Sequence, residues 1–291
     1  MLLGALLFTL MGVCIKFSAA GYHTFEITAY RGLIGALFVL GLARARGVSL
    51  RTRLPMMHLW RSAVGTTAML CSFYAITQLP LATAMTLNYM SSIWVAAFLI
   101  GGALLLDRAG QAQRQGPLYM TVLAGFGGVA LMLRPTFDSE QLIAGLIGLA
   151  SGLFAALAYL QVTALSRAGE PEARTVFYFS AGAALVGLAG TLYQGASDWN
   201  WEACWWLVPT GISAALGQLC MTRAYASGST LLVANLQYAG VVFSGLFGVL
   251  VFDERLNWQG WTGMSLIIAS AIAATVLRSR AAPGTPPTEQ D

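Results

Sequence analysis

Apolar residues recur along the chain in ten stretches of about twenty: 1–20, 25–43, 57–78, 82–106, 116–134, 142–165, 173–193, 203–224, 229–252 and 257–277. A helix needs ~20 apolar residues to cross roughly 30 Å of hydrocarbon, so each stretch is expected to be a transmembrane helix. Most connections are short, which makes consecutive helices antiparallel neighbours.

One stretch appears twice. Ala84 to Arg108 (AMTLNYMSSIWVAAFLIGGALLLDR) returns 147 residues later as Leu231 to Arg255 (LLVANLQYAGVVFSGLFGVLVFDER), pairing Asn88 with Asn235, Gly101 with Gly248 and Arg108 with Arg255. Each copy has an amide near its start, a small-xxx-small step (Ala97 to Gly101, Ser244 to Gly248) and an apolar run closed by an acid and an arginine. Such a repeat implies two copies of one module. The boundary falls at RPTFDSEQ, which gives a first five-helix repeat over 1–134, a connecting loop over 135–141 and a second repeat over 142–280. Five being odd, the second repeat enters the membrane upside down. The expected fold class is therefore an all-α integral membrane protein, ten transmembrane helices forming two inverted five-helix repeats. Residues 281–291 are proline-rich and polar, and are expected to form a disordered cytoplasmic tail.

Composition agrees. Of 291 residues 57% are hydrophobic and 10% charged, against roughly a quarter charged in soluble domains, and the mean hydropathy is +0.68. Met1 opens directly into an apolar run without a basic leader, so the first span is expected to be retained, with natural residues missing ahead of it. Cys14, Cys71, Cys204 and Cys220 lie in or beside apolar segments at spacings of neither a zinc site nor a disulfide framework. The formal charge of +4 comes from arginines in short loops, so it reports topology and excludes nucleic acid as a partner. Arg44, Arg46, Arg51, Arg53, Arg61, Arg108, Arg114, Arg167, Arg174, Arg278 and Arg280 fall on one side. By the positive-inside rule both termini face the cytoplasm of a cell whose inner membrane holds the protein. Trp199, Trp201, Trp205, Trp206, Trp258 and Trp261 would form the outer aromatic girdle, with Trp60 at the inner one.

Catalytic patterns are absent: there is no HExxH, GxSxG, Walker or GxGxxG signature, and no cofactor or metal is expected. Polar groups within the spans are the remaining candidates, because a central charge in hydrocarbon costs roughly 2.5–3.5 kcal/mol. Lys16 continues a stripe through Thr9 and Gly12; Arg31 continues Thr24 and Thr28 towards Gly35. Either they attract an anionic or carboxylate-bearing substrate, or close an outer gate with Glu26, or they snorkel to the interface. Asn88 and Asn235, with Ser91 and Tyr238 one turn on, are matched between repeats and would ring a mid-depth cavity, or serve as interhelical glue. Tyr74 and Tyr225 correspond too, with Gln218 on the face of the second, and Tyr159 adds another phenol. The small-xxx-small steps, including Gly148 with Gly152, are expected to serve close helix packing.

The order of these features resembles a known family. Asp107-Arg108, Asp253-Glu254-Arg255, the Ala29-Tyr30-Arg31 step and the junction YAITQLPLATA from Tyr74 to Ala84 look like the EamA-type transporters of the drug/metabolite transporter superfamily. That resemblance implies a secondary transporter moving an amino acid or similar small metabolite by alternating access, more often outward. The family often has a proline midway along spans four and nine; here Ser91-Ser92 and Tyr238-Ala239 stand there, which puts the associated kink in question. The expected partners are a small-molecule substrate, the lipid bilayer and, optionally, a second copy in a homodimer. A passive channel and a non-transporting scaffold are the alternatives.

Overall fold

The computed structural model describes residues 1–105, 116–133, 142–253 and 258–281. The acidic-arginine endings Asp107-Arg108 and Glu254-Arg255, the connecting loop 135–141 and the tail after Ala281 lie outside the described residues. Within these the chain is helical, with no strand. The helices are α1 (Leu2–Ser18), α2 (Thr24–Ala45), α3 (Pro55–Gln78), α4 (Leu81–Tyr89), α5 (Ser91–Leu105), α6 (Gly116–Leu133), α7 (Leu142–Arg167), α8 (Glu172–Gln194), α9 (Trp201–Cys204), α10 (Leu207–Ser227), α11 (Thr230–Leu236), α12 (Ala239–Phe252) and α13 (Trp258–Ala281). Four are long and apolar enough to cross a membrane: α2, α7, α8 and the run Leu232–Phe252.

Local chemistry sets the ends. A capping box opens α2, in which Glu26 accepts from the His23 backbone amide at 3.1 Å. Pro55 opens α3 at its first turn, where its missing N–H is no loss. The Asn200 side chain caps α9 by accepting from Glu202 N and Ala203 N, both at 3.0 Å.

The fourth and ninth apolar stretches are each interrupted, at Met90 and at Gln237–Tyr238, positions matched in the repeat. No proline is needed. At the second break Tyr238 N turns from Ala234 O to Asn235 O (3.0 Å), and Gly240 N and Val241 N also bond three residues back. This 3₁₀ tightening releases the Ala234 carbonyl, which accepts Ser92 Oγ at 2.5 Å. In hydrocarbon a freed carbonyl needs such a partner. The serine that stands in the proline's place thus supports the opposite break.

The packing exchanges with itself when α1–α6 is swapped for α7–α13. Helix α3 lies on α7 as α10 lies on α1; α5 lies on α7 as α12 lies on α1; the pair α4·α12 maps onto α5·α11, and the pairs α2·α8 and α6·α13 map onto themselves. Small residues allow the close approaches. A methyl on Gly152 of α7 would stand 2.6 Å from Leu87 O, and one on Gly32 of α2 would stand 2.7 Å from Ser180 O. Away from these contacts leucines, isoleucines, valines and tryptophans are exposed, Leu185, Leu192 and Leu250 among them. So much exposed apolar surface is that of a chain solvated by lipid.

Candidate functional site

Between α1, α2, α3, α4, α7, α8 and α10 lies a cavity of about 80 Å³. Two arginines enter it. Arg31 descends from the α2 stripe Thr28, Arg31, Gly35, all buried. Arg61 lies in the second turn of α3 and folds back along its own helix over Gly65. Both are almost wholly buried, 3% and 2% exposed. Their guanidinium carbons stand 4.9 and 4.2 Å from the centroid of one ring, Phe179 of α8. Arg61 Nη2 donates to Gln218 Oε1 at 3.4 Å. The Nε and Nη1 atoms of both arginines have no hydrogen-bond partner. Asn88, Ser72, Tyr89 and Tyr159 complete the polar lining, with Met11, Met69, Met85 and Phe73 as its apolar part.

Among the described residues no carboxylate reaches either guanidinium. A desolvated cation–π contact supplies about 2 kcal/mol, whereas the effective penalty of burying an ion is several kcal/mol. The ring therefore does not compensate the charges. What the cavity lacks is negative charge.

The acids hold the two ends of the bundle instead. At the tryptophan-rich end Glu26 accepts from Ser197 Oγ at 2.6 Å and from Ser197 N at 2.8 Å, and Tyr22 Oη donates to Asn200 O at 3.3 Å. At the arginine-rich end Glu170 accepts from Thr52 Oγ1 at 2.8 Å and from Arg174 Nη1 at 2.9 Å, and pairs with His58 Nε2 at 3.1 Å. Arg174 also donates to Ser49 O, at 3.0 and 2.7 Å. Burial pushes the Glu170 carboxyl up, but the hydrogen bonds from Thr52, Arg174 and His58 outweigh it and hold it below its usual value of 4.5. At each end one carboxylate thus joins residues from the two parts of the chain.

Of the residues singled out from sequence, the structure brings Arg31 and Asn88 into the cavity, where Asn88 Nδ2 donates to Ser151 Oγ at 3.1 Å. Ser91 is buried where α5 begins, close to Gly152. Tyr225 lies behind the lining, stacked on Tyr159 at 5.4 Å and donating to Gln237 Oε1 at 3.4 Å. The others lie elsewhere. Asn235 is held between α6 and α13 by Thr121 Oγ1 at 2.9 Å and Ser270 Oγ at 3.4 Å, and so does not mirror Asn88. Tyr238 packs on Gly125 and donates to Val122 O at 3.4 Å. Tyr74 is exposed on the outer surface of α3, since its side chain follows the face opposite Phe73 and Ile76. Lys16 stands over the Phe252 ring, 4.6 Å from its centroid, at the tryptophan-rich end. Glu26 caps α2 and binds Ser197 and does not meet Arg31.

In sequence Arg61 groups with the loop arginines. The signal that places it inside is the stripe that follows at helical spacing, Gly65, Ala68, Met69, Ser72 and Ile76, small and apolar residues that leave a long side chain nowhere to go but along its own helix.

Comparison with known proteins then gives concordant results. The profile of the EamA-like transporter family matches residues 1–133 and 142–276. The pseudopaline exporter CntI of Pseudomonas aeruginosa is 32% identical over 275 residues, covering 93% of each chain. A riboflavin transporter of Vibrio cholerae is 24% identical over 284 residues, 94% of this chain and 91% of its own. A solved crystal structure shares the fold with a TM-score of 0.76 at 20% identity, over 97% of this chain and 98% of the other.

Proposed function

This chain belongs to the EamA-like transporter family, and from that premise we propose that this membrane transporter, which is not an enzyme, exports a small polar metabolite across the inner membrane by alternating access. In this reading ten crossings form two inverted halves, 1–134 and 142–280, with both termini in the cytoplasm. Support comes from the two family matches on either side of residues 134–141 and from the packing pattern that survives exchange of the halves. The export direction follows the exporter among its relatives.

The observation that carries the reading is the buried cavity to which both halves contribute, Arg31, Arg61 and Asn88 from one and Tyr159, Phe179 and Gln218 from the other. Its volume of about 80 Å³ is far below the ~300–1,000 Å³ of pockets that enclose small ligands. A solute can enter only if the halves separate. The carboxylate ties of Glu26 to Ser197 and of Glu170 to Thr52 and His58 join the halves at the two ends, and alternate release of one tie and then the other would expose the cavity to each side in turn. A continuous pore has no such support.

Proteoliposomes test this. Loaded with a pool of amino acids and small organic acids, they should show saturable uptake of a labelled solute that is stimulated by the same solute inside. Flux linear in concentration would replace the carrier with a channel, and no flux for any solute would leave a scaffold.

A further inference from the structure

We propose that the cavity binds a solute bearing two carboxylates, one held by the guanidinium of Arg31 and the other by that of Arg61. The proposal rests on the transporter reading and names its substrate class.

Four observations converge on it. Both arginines are more than nine-tenths buried, and each presents an Nε and an Nη1 donor without a partner. On one guanidinium Nε–H and Nη1–H point to different sides, so each is a separate unmet donor, and a carboxylate taken up by either forms a charge-assisted hydrogen bond. Glu26 and Glu170 are engaged elsewhere, Glu26 by Ser197 and Glu170 by Thr52, Arg174 and His58. The two positive charges share one ring, so each makes the other harder to bury, and only an occupant with two negative charges neutralises both.

The same geometry limits the occupant's length. With guanidinium carbons 4.9 and 4.2 Å from a common centroid, their separation cannot exceed the sum of those distances. Two carboxylates separated by a short chain fit that span. The methionines and aromatic rings around the arginines would cover the chain between them.

The test uses purified full-length protein and thermal-shift titration with succinate, glutarate and adipate, against butyrate, glutaramide and inorganic phosphate. At least one dicarboxylate should raise the melting temperature saturably where butyrate and glutaramide do not. Arg31→Gln and Arg61→Gln should each raise the ligand-free melting temperature, because a buried uncompensated charge has gone, and weaken dicarboxylate binding by about 10- to 100-fold, the worth of a charged hydrogen bond. Arg31→Lys and Arg61→Lys should keep part of the affinity. Equal shifts with glutaramide, a shift with phosphate alone, or Gln variants that lose ligand-free stability and keep their affinity would overturn the proposal. Counterflow of a solute without carboxylates, with no dicarboxylate shift, would overturn it and leave the transporter standing. Dicarboxylate shifts without counterflow of any solute would uphold this site and remove the transport reading.

Discussion

Arg31 and Arg61 come from different helices and meet over the ring of Phe179 with no acid between them. Like charges are rarely gathered in a membrane interior unless something else is to neutralise them. The arrangement costs the chain stability at the place where the two halves touch, as two buried cations without a counter-charge must.

Gly65 makes room for one of the pair. A methyl there would collide with Arg61 Nη1 and stand 2.9 Å from Phe179 Cε2. Gly65→Ala should therefore swing Arg61 off the ring, reducing counterflow at least tenfold while the melting temperature changes little. Purified protein in liposomes and a thermal scan in detergent provide both readings.

Ser92 supports the broken helix of the other half through the Ala234 carbonyl. Ser92→Ala should destabilise by about 1 kcal/mol, within the range of interhelical hydrogen bonds in membranes. Ser92→Thr should restore most of it. Equal stability of all three in a denaturant titration would mean that the freed carbonyl finds another donor.

Tyr74 and Tyr225 are matched in sequence and differ in placement. Tyr225→Ala should cost about 3 kcal/mol, as expected for a buried ring, and should loosen Tyr159 at the cavity. Tyr74→Ala should stay within about 0.5 kcal/mol, as at other exposed positions. Comparing the two unfolding curves checks the assignment.

Glu170 has a pH signature. Its folded-state pKa lies below its usual 4.5, so the stability it contributes is fully present above that value and is lost as pH falls through the depressed one. The groups facing it are His58 of α3, Arg174 of α8 and Thr52 of the preceding loop. Glu170→Gln should melt below the parent at pH 7, and the gap should close in acid.

The helical pattern was open to sequence reading because lipid fixes the length of a span, and observed ends such as Thr24–Ala45 and Glu172–Gln194 lie within a few residues of the apolar stretches. The breaks at Met90 and Gln237 were harder to see, since a serine on one half satisfies the carbonyl freed on the other and leaves no proline to read. The site was half legible. Arg31 and Asn88 sit on small-residue stripes that mark the interior, whereas Arg61, seven residues into its helix, looked like one more loop arginine. Matching by repeat misled for Asn235, Tyr238 and Tyr74. An inverted pair shares its backbone, but each side chain answers to its own neighbours, and Thr121 and Ser270 have drawn Asn235 away from the cavity.

The central claim is that this cavity opens to each side of the membrane in turn. With Cys14, Cys71, Cys204 and Cys220 replaced by serine, Ala68→Cys places one thiol in the cavity lining. A membrane-impermeant maleimide should label it when added from either side, and locking one end shut with a cross-link should abolish labelling from that end alone. Labelling confined to one side under every condition, or labelling from both sides that the cross-link leaves unchanged, would contradict the account.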